Sequence, residues 1–249
     1  MDLHGKVTLI TGGTMGIGAA IAVKLAELGS DLAVVARNLG QDAEVTRRRI
    51  EATGRRVLLF TGDLSREADC TAAVETTVKQ YGRLDVLVHN AGGPAFGKTE
   101  DITPEFWRQT LELHVSANFY LAKVALPHLR KAKEGAIITV SSTAGILGVP
   151  GAIAYATAKG ALPQFTRCLA RDLADDNIRV NGVAPGVIRT RFHADMTPER
   201  KELNLKHRIP LHREGTPQQV ADVVAMLVTN DYITGETVVI DGGLTSRIA

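Results

Sequence analysis

Short runs of Val, Leu and Ile alternate along the chain with longer segments of helical spacing, and glycine-rich or polar turns separate the two. Val7 to Ile10 is a strand-length apolar run that stops at the glycines of TGGTMGIG, and AAIAVKLAEL beyond it has the spacing of a helix. DLAVVA gives a second strand, followed by a charged helical segment ending near Ala52. RVLLF gives a third, which ends at Gly62-Asp63-Leu64 and leads into a helix predicted over Glu67 to Tyr81. LDVLVHNAG is a fourth buried strand closed by a polar turn. The second half predicts a long helix from Pro104 to about Lys131, the strand GAIITVSS, a helix over Tyr155 to Asp175 and the strand IRVNGVAPG. A helix in PQQVADVVAMLV and a final strand in ETVVIDGG complete the alternation.

Strands this continuously apolar are buried on both faces, which predicts a parallel sheet covered by helices. The expected architecture is α/β: a single doubly wound Rossmann-type domain over 1–249, with about seven strands and no repeat or linker. The stretch 187–215 is longer than an ordinary connection and reads as a partly helical lid or substrate loop.

Composition narrows the function classes. Lys and Arg number 29 against 27 Asp and Glu, a formal net charge of +2, which gives no basic stripe for nucleic acid. No run of apolar residues is long enough for a membrane span, and the opening MDLHGKVTLITGG reads as a strand rather than a signal peptide, so a cytoplasmic protein is the expectation. Cys70 and Cys168 are read as two buried thiols rather than a disulfide. No metal is expected, because the cysteines and the seven histidines lack ligand spacing.

Gly12, Gly16 and Gly18 stand between the first strand and the first helix. There they suit a tight turn, a close approach of backbone to a pyrophosphate at the helix N-terminus, and close helix–strand packing. Helix packing alone could demand the same small residues. Tyr155 and Lys159, four apart on a helix, share one face. A nearby ammonium would stabilise the tyrosinate and make proton exchange with a substrate oxygen feasible near neutral pH.

These motifs in this order resemble the classical short-chain dehydrogenase/reductase family: TGxxxGxG at Thr11 to Gly18, Asp63-Leu64, Asn90-Ala91-Gly92, Ser142 with Tyr155-x-x-x-Lys159, Pro185-Gly186 and ITGETVVIDGG. The resemblance spans essentially the whole chain. It implies hydride transfer between a nicotinamide cofactor and a carbonyl or alcohol substrate, with Ser142 orienting the substrate oxygen, Tyr155 exchanging its proton and Lys159 also holding the nicotinamide ribose. The implied cofactor contacts are Gly12, Thr14, Met15, Gly16, Ile17 and Gly18, then Asp63 and Leu64 at the adenine, Asn90, Ala91 and Gly92, and Pro185, Gly186, Ile188 and Thr190 near the carboxamide. Ala36 stands where NAD-dependent relatives carry an acid, and Arg37 follows, so NADP(H) is expected over NAD(H), with Asn38 on the ribose side. The resemblance also implies a homotetramer assembled through the helices near 104–131 and 155–175. A 3-oxoacyl thioester presented by an acyl carrier, a sugar or polyol, and a small ketone all remain open as substrates, and a redox-silent NADP(H) sensor is the alternative outside the enzymes.

Two positions depart from the family. His114 stands on its fourth catalytic residue, an asparagine, and is expected to organise the proton relay behind Lys159 and to titrate in doing so, with a core role or a takeover by Asn118 as alternatives. Pro163 lies inside the Tyr155–Lys159 helix, where it removes the N–H that would bond the Lys159 carbonyl. A kink, with water on the freed carbonyl, or a local packing accommodation is expected. His89, where many relatives have another asparagine, is given no catalytic role.

Overall fold

A computed structural model describes residues 1–193 and 196–246. Seven strands form one sheet: β1 (Val7–Thr11), β2 (Asp31–Ala36), β3 (Val57–Thr61), β4 (Val86–His89), β5 (Gly135–Val140), β6 (Ile178–Pro185) and β7 (Thr237–Ile240). Their order is β3-β2-β1-β4-β5-β6-β7, and every pairing is parallel. The helices are α1 (Gly16–Glu27), α2 (Gln41–Glu51), α3 (Glu67–Tyr81), α4 (Pro104–Leu111), α5 (Ala117–Lys131), α6 (Ile153–Leu173), α7 (Pro198–Leu203) and α8 (Pro217–Thr229).

Successive strand side chains point to opposite faces, and each face packs its own core. Ile10, Val34, Val86 and Val88 join Ile21 and Leu25 of α1, Ile50 of α2, and Val220 and Val224 of α8. Leu9, Val35 and Leu87 join Cys70 and Val74 of α3, Leu121 and Leu129 of α5, and Leu173 of α6 on the other face. Burial on both faces explains why the strands read as continuous apolar runs rather than alternating ones.

The chain winds outward from β1 to β3, then returns to lay β4 beside β1. At this reversal the loops after the two strands diverge and leave a crevice at their C-terminal ends, where open α/β sheets bind ligands. The Asn90 amide spans the two strands there, donating to the Thr11 and Gly12 carbonyls at 3.2 and 3.0 Å.

Two expectations need correction. The predicted helix from Pro104 to Lys131 is two α-helices joined by a π-turn at Glu112–Ser116, where the hydrogen-bond ladder widens by one residue. Pro163, as expected, lies inside a helix that continues past it, and α6 runs from Ile153 to Leu173. Cys70 is buried, but Cys168 is exposed, because it falls on the outer face of α6. The long excursion carries α7 and a second π-turn at Asn204–Arg208. Its base is pinned where Ile188 pairs with Gly215, with Arg189 N donating to Gly215 O and Gly215 N to Val187 O, both at 2.9 Å.

Candidate active site

A cleft of about 1100 Å³ opens over the crevice between β1 and β4 and continues under the 187–215 excursion. That volume lies at the upper end of small-molecule sites, with room for a dinucleotide and a second reactant. Gly12, Thr14, Met15, Gly16, Ile17 and Gly18 form its floor. A Cβ on Gly18 would stand 2.2 Å from the Gly12 carbonyl oxygen, so only glycine allows α1 to start this close to β1. Gly12 itself has φ 64°, and a Cβ there would lie 2.9 Å from Ala91 Cα. α1 begins at Gly16 with no side-chain cap and no acidic residue in its first turn, which leaves its N–H groups and dipole facing the cleft. Thr46 of α2 donates to the Thr14 carbonyl at 2.9 Å and holds the loop. The floor therefore fits a pyrophosphate: small residues, unused N–H donors and no competing carboxylate.

Beyond the floor, Arg37 and Asn38 follow the buried end of β2 and line the cleft together with Asp42 and Arg49 of α2. Leu64 lines the same end. Asp63 does not: its carboxylate accepts from the Ser65 backbone and hydroxyl at 3.1 and 2.8 Å, and its own N–H donates to Asp69. Asn90, Ala91 and Gly92 form one wall, and Pro185, Gly186, Ile188 and Thr190 form the opposite one.

At the other end of the cleft, β5 and α6 bring Ser142, Tyr155 and Lys159 together. Ser142 ends the strand in extended conformation and accepts from the Ala144 N–H at 3.1 Å. It also hydrogen-bonds the Tyr155 phenol, which opposes the upward push of burial; burial wins and drives Tyr155 up to about 12. The expectation from sequence is a phenol lowered by its lysine; in the folded protein burial raises it, and the one opposing influence is the Ser142 hydrogen bond. Lys159 lies one turn on, its ammonium 5.8 Å from the Tyr155 ring centroid and donating to the Val140 carbonyl at 2.7 Å. Burial pulls Lys159 down to about 7.

Two aromatic rings flank Tyr155. The Phe96 and Phe192 ring centroids each lie 5.7 Å from that of Tyr155 and 6.0 Å from one another. Phe96 is carried by the loop after β4, fixed where Gly97 N donates to Gly151 O at 2.8 Å beside the start of α6. Phe192 comes from the 187–215 excursion. Phe96 escaped the sequence reading because it follows a Gly-Gly-Pro turn with no periodicity to place it, as did Asp42 and Arg49 on a helix face that reads as ordinary charged surface.

His114 lies in the π-turn, 3% exposed, its ring edge-on to Tyr155 at 5.5 Å. Its Nδ1 is buried without a hydrogen-bond partner. Burial, reinforced by the Lys159 charge, drops it to about 2, so the imidazole stays neutral where titration was expected. Asn118 donates to the His114 carbonyl at 2.9 Å instead of reaching the cleft. His89 anchors this turn. The Thr11 hydroxyl accepts from the Asn90 and Ala91 N–H groups, which leaves its own proton for His89 Nδ1 at 2.8 Å. His89 Nε2 then carries the ring proton and donates to the Leu113 carbonyl, at 3.1 Å, inside the π-turn.

A family model described as enoyl-(acyl carrier protein) reductase matches residues 12–245. General stress protein 39 of Bacillus subtilis is 40% identical over 244 residues, covering 97% of this chain and 85% of that protein. Human dehydrogenase/reductase SDR family member 4 is 38% identical over 250 residues, covering 99% and 90%. The chain belongs to the short-chain dehydrogenase/reductase family. Among solved members, a Serratia marcescens short-chain dehydrogenase/reductase bearing two Phe-to-Tyr substitutions superposes with a TM-score of 0.91 at 33% identity, covering 98% of this chain and 100% of that one. As a family oxidoreductase the protein departs from the common pattern at the π-turn, where His114 stands for asparagine and Gly92 makes room for it: a Cβ on Gly92 would come 2.6 Å from His114 Cε1.

Proposed function

We propose that this oxidoreductase reduces a ketone or aldehyde with NADPH. The observation that carries the reading is one cleft with Ser142, Tyr155 and Lys159 at one end and Arg37, in place of a ribose-binding carboxylate, at the other. A bound nicotinamide supplies the hydride. Ser142 Oγ holds the substrate oxygen, and Tyr155 Oη, a phenol that is protonated at neutral pH and that burial keeps so to still higher pH, gives that oxygen its proton. Lys159 Nζ, anchored on Val140 and poised near neutrality, returns a proton toward Tyr155. His114, neutral and with Nδ1 open, accepts a hydrogen bond in this network rather than carrying charge.

Phe96 and Phe192 favour a substrate with an apolar body over a polyol, which would need donors where those rings stand. Arg200 and Arg208 of the lid also line the cleft, and they support a second reading in which the ketone is a 3-oxoacyl thioester delivered by an anionic carrier. Assembly as a homotetramer belongs to the same reading. Phe119, 53% exposed on the outer face of α5, supports burial against another copy, and mass measured in solution decides.

The test is NADPH oxidation, with NADH in parallel, over a carbonyl panel using the parent protein and Tyr155→Phe. Parent turnover on NADPH that falls roughly 10²–10⁴-fold in the variant is expected. Turnover indifferent to Tyr155 overturns the chemistry, a preference for NADH overturns the cofactor assignment, and cofactor binding without turnover favours the sensor.

A further inference from the structure

The lid reaches across the mouth of the cleft to a carboxylate at its adenosine end. Arg191, in the 3₁₀ turn Arg191–His193, donates through Nη1 and Nη2 to Asp42 Oδ2 and Oδ1 at 2.5 and 3.2 Å. Asp42 sits in the first turn of α2, and both residues line the cleft beside Arg37, Asn38 and Arg49. A carboxylate in that place is at odds with binding a 2′-phosphate, because two like charges in a partly desolvated cleft repel. The α2 dipole only partly offsets it. The two-point geometry of a guanidinium on a carboxylate removes the conflict more completely.

We infer that Arg191 is a specificity-determining residue acting through Asp42: by neutralising that carboxylate it lets Arg37 and Arg49 present net positive charge to the 2′-phosphate. The inference rests on the NADPH reading and goes one step past it, since the discriminating residue lies on the lid rather than at the end of β2. Arg191 is exposed and Asp42 partly so, which makes the effect a modest, salt-dependent one. It is also directional. Losing Arg191 uncovers a negative charge, and losing Asp42 with it leaves none to uncover.

Calorimetric titration of NADPH and NADH into the parent protein, Arg191→Ala, Asp42→Asn and the double variant tests this without relying on turnover. Arg191→Ala is expected to weaken NADPH about three- to fivefold while NADH moves less than about twofold. The double variant is expected to regain most of the NADPH affinity. If it stays as weak as Arg191→Ala, Arg191 contacts the phosphate directly and the inference is overturned. Equal weakening of both cofactors by Arg191→Ala overturns it too, since the pair would then only hold the lid. The NADPH-to-NADH ratio of the parent, measured alongside, tests the cofactor reading separately.

Discussion

The Ser141 hydroxyl donates to the Lys159 carbonyl at 2.7 Å, the carbonyl that Pro163 deprives of its helical partner. A proline inside α6 is thereby accommodated, and the backbone of Lys159 is tied to the strand end that carries Ser142. Ser141→Ala should leave that buried carbonyl unpaired and cost about 1–3 kcal/mol of stability. Pro163→Ala in the same chain restores an N–H donor and should recover part of the loss. Urea denaturation of the two single variants and the double variant measures the coupling, and strictly additive effects would contradict it.

His89 and His114 are both buried and neutral, at about 4 and about 2. Below the unfolded value of 6.5 the unfolded chain binds protons that the folded chain refuses, so stability falls with pH down to those folded values. Each group contributes up to about 1.4 kcal/mol per pH unit. His114→Asn should therefore flatten the acid limb of the stability curve between about pH 6 and pH 4, measured by denaturation at each pH. An acid limb as steep as the parent's would mean that His114 is not held neutral.

Lys159 is depressed from 10.5 to about 7. Between those values the unfolded chain binds the extra proton, so folding stability contributed here rises with pH from about 7 to about 10.5. Lys159→Met should abolish most turnover, yet gain on the parent in melting temperature most strongly at neutral pH, with the gap closing toward pH 10 or so. A gap independent of pH would place the buried lysine's cost elsewhere.

Most of the architecture was legible because strands buried on both faces announce themselves as unbroken Val, Leu and Ile runs, and because glycines at 12, 16 and 18 mark the first strand–helix junction. The π-turn was not legible: Leu113-His114-Val115 has ordinary helical composition, and the widened turn depends on His89, which is distant in sequence and joins it only through the sheet. The turn of the Asp63 carboxylate toward Ser65 was hidden for a related reason. A motif gives a position on the chain, whereas the direction of a carboxylate is decided by its nearest donors, here Ser65. Phe96 and Phe192 come from two loops whose meeting over Tyr155 is a tertiary fact.

The rings flanking Tyr155 predict a division between binding and chemistry. Phe96→Ala should raise KM for ketones with an apolar body about three- to tenfold, the worth of one aromatic contact, with little change in kcat. Steady-state kinetics on a long-chain and a short-chain ketone check it. An equal effect on both substrates would mean that Phe96 supports the loop rather than the substrate.

The π-turn at Glu112–Ser116 stores the position of His114 as a count of residues. Removing one residue from it would let the ladder close into regular helix while α4 and α5 stay nearly in phase, because the wide turn absorbs the extra residue. With α5 held in the core by Ala117, Leu121, Ala125 and Leu129, the change would fall on the turn itself and on the place of His114 in it. Point substitutions in this stretch change side chains on a standing frame, whereas a single-residue deletion would remake the turn that holds His114.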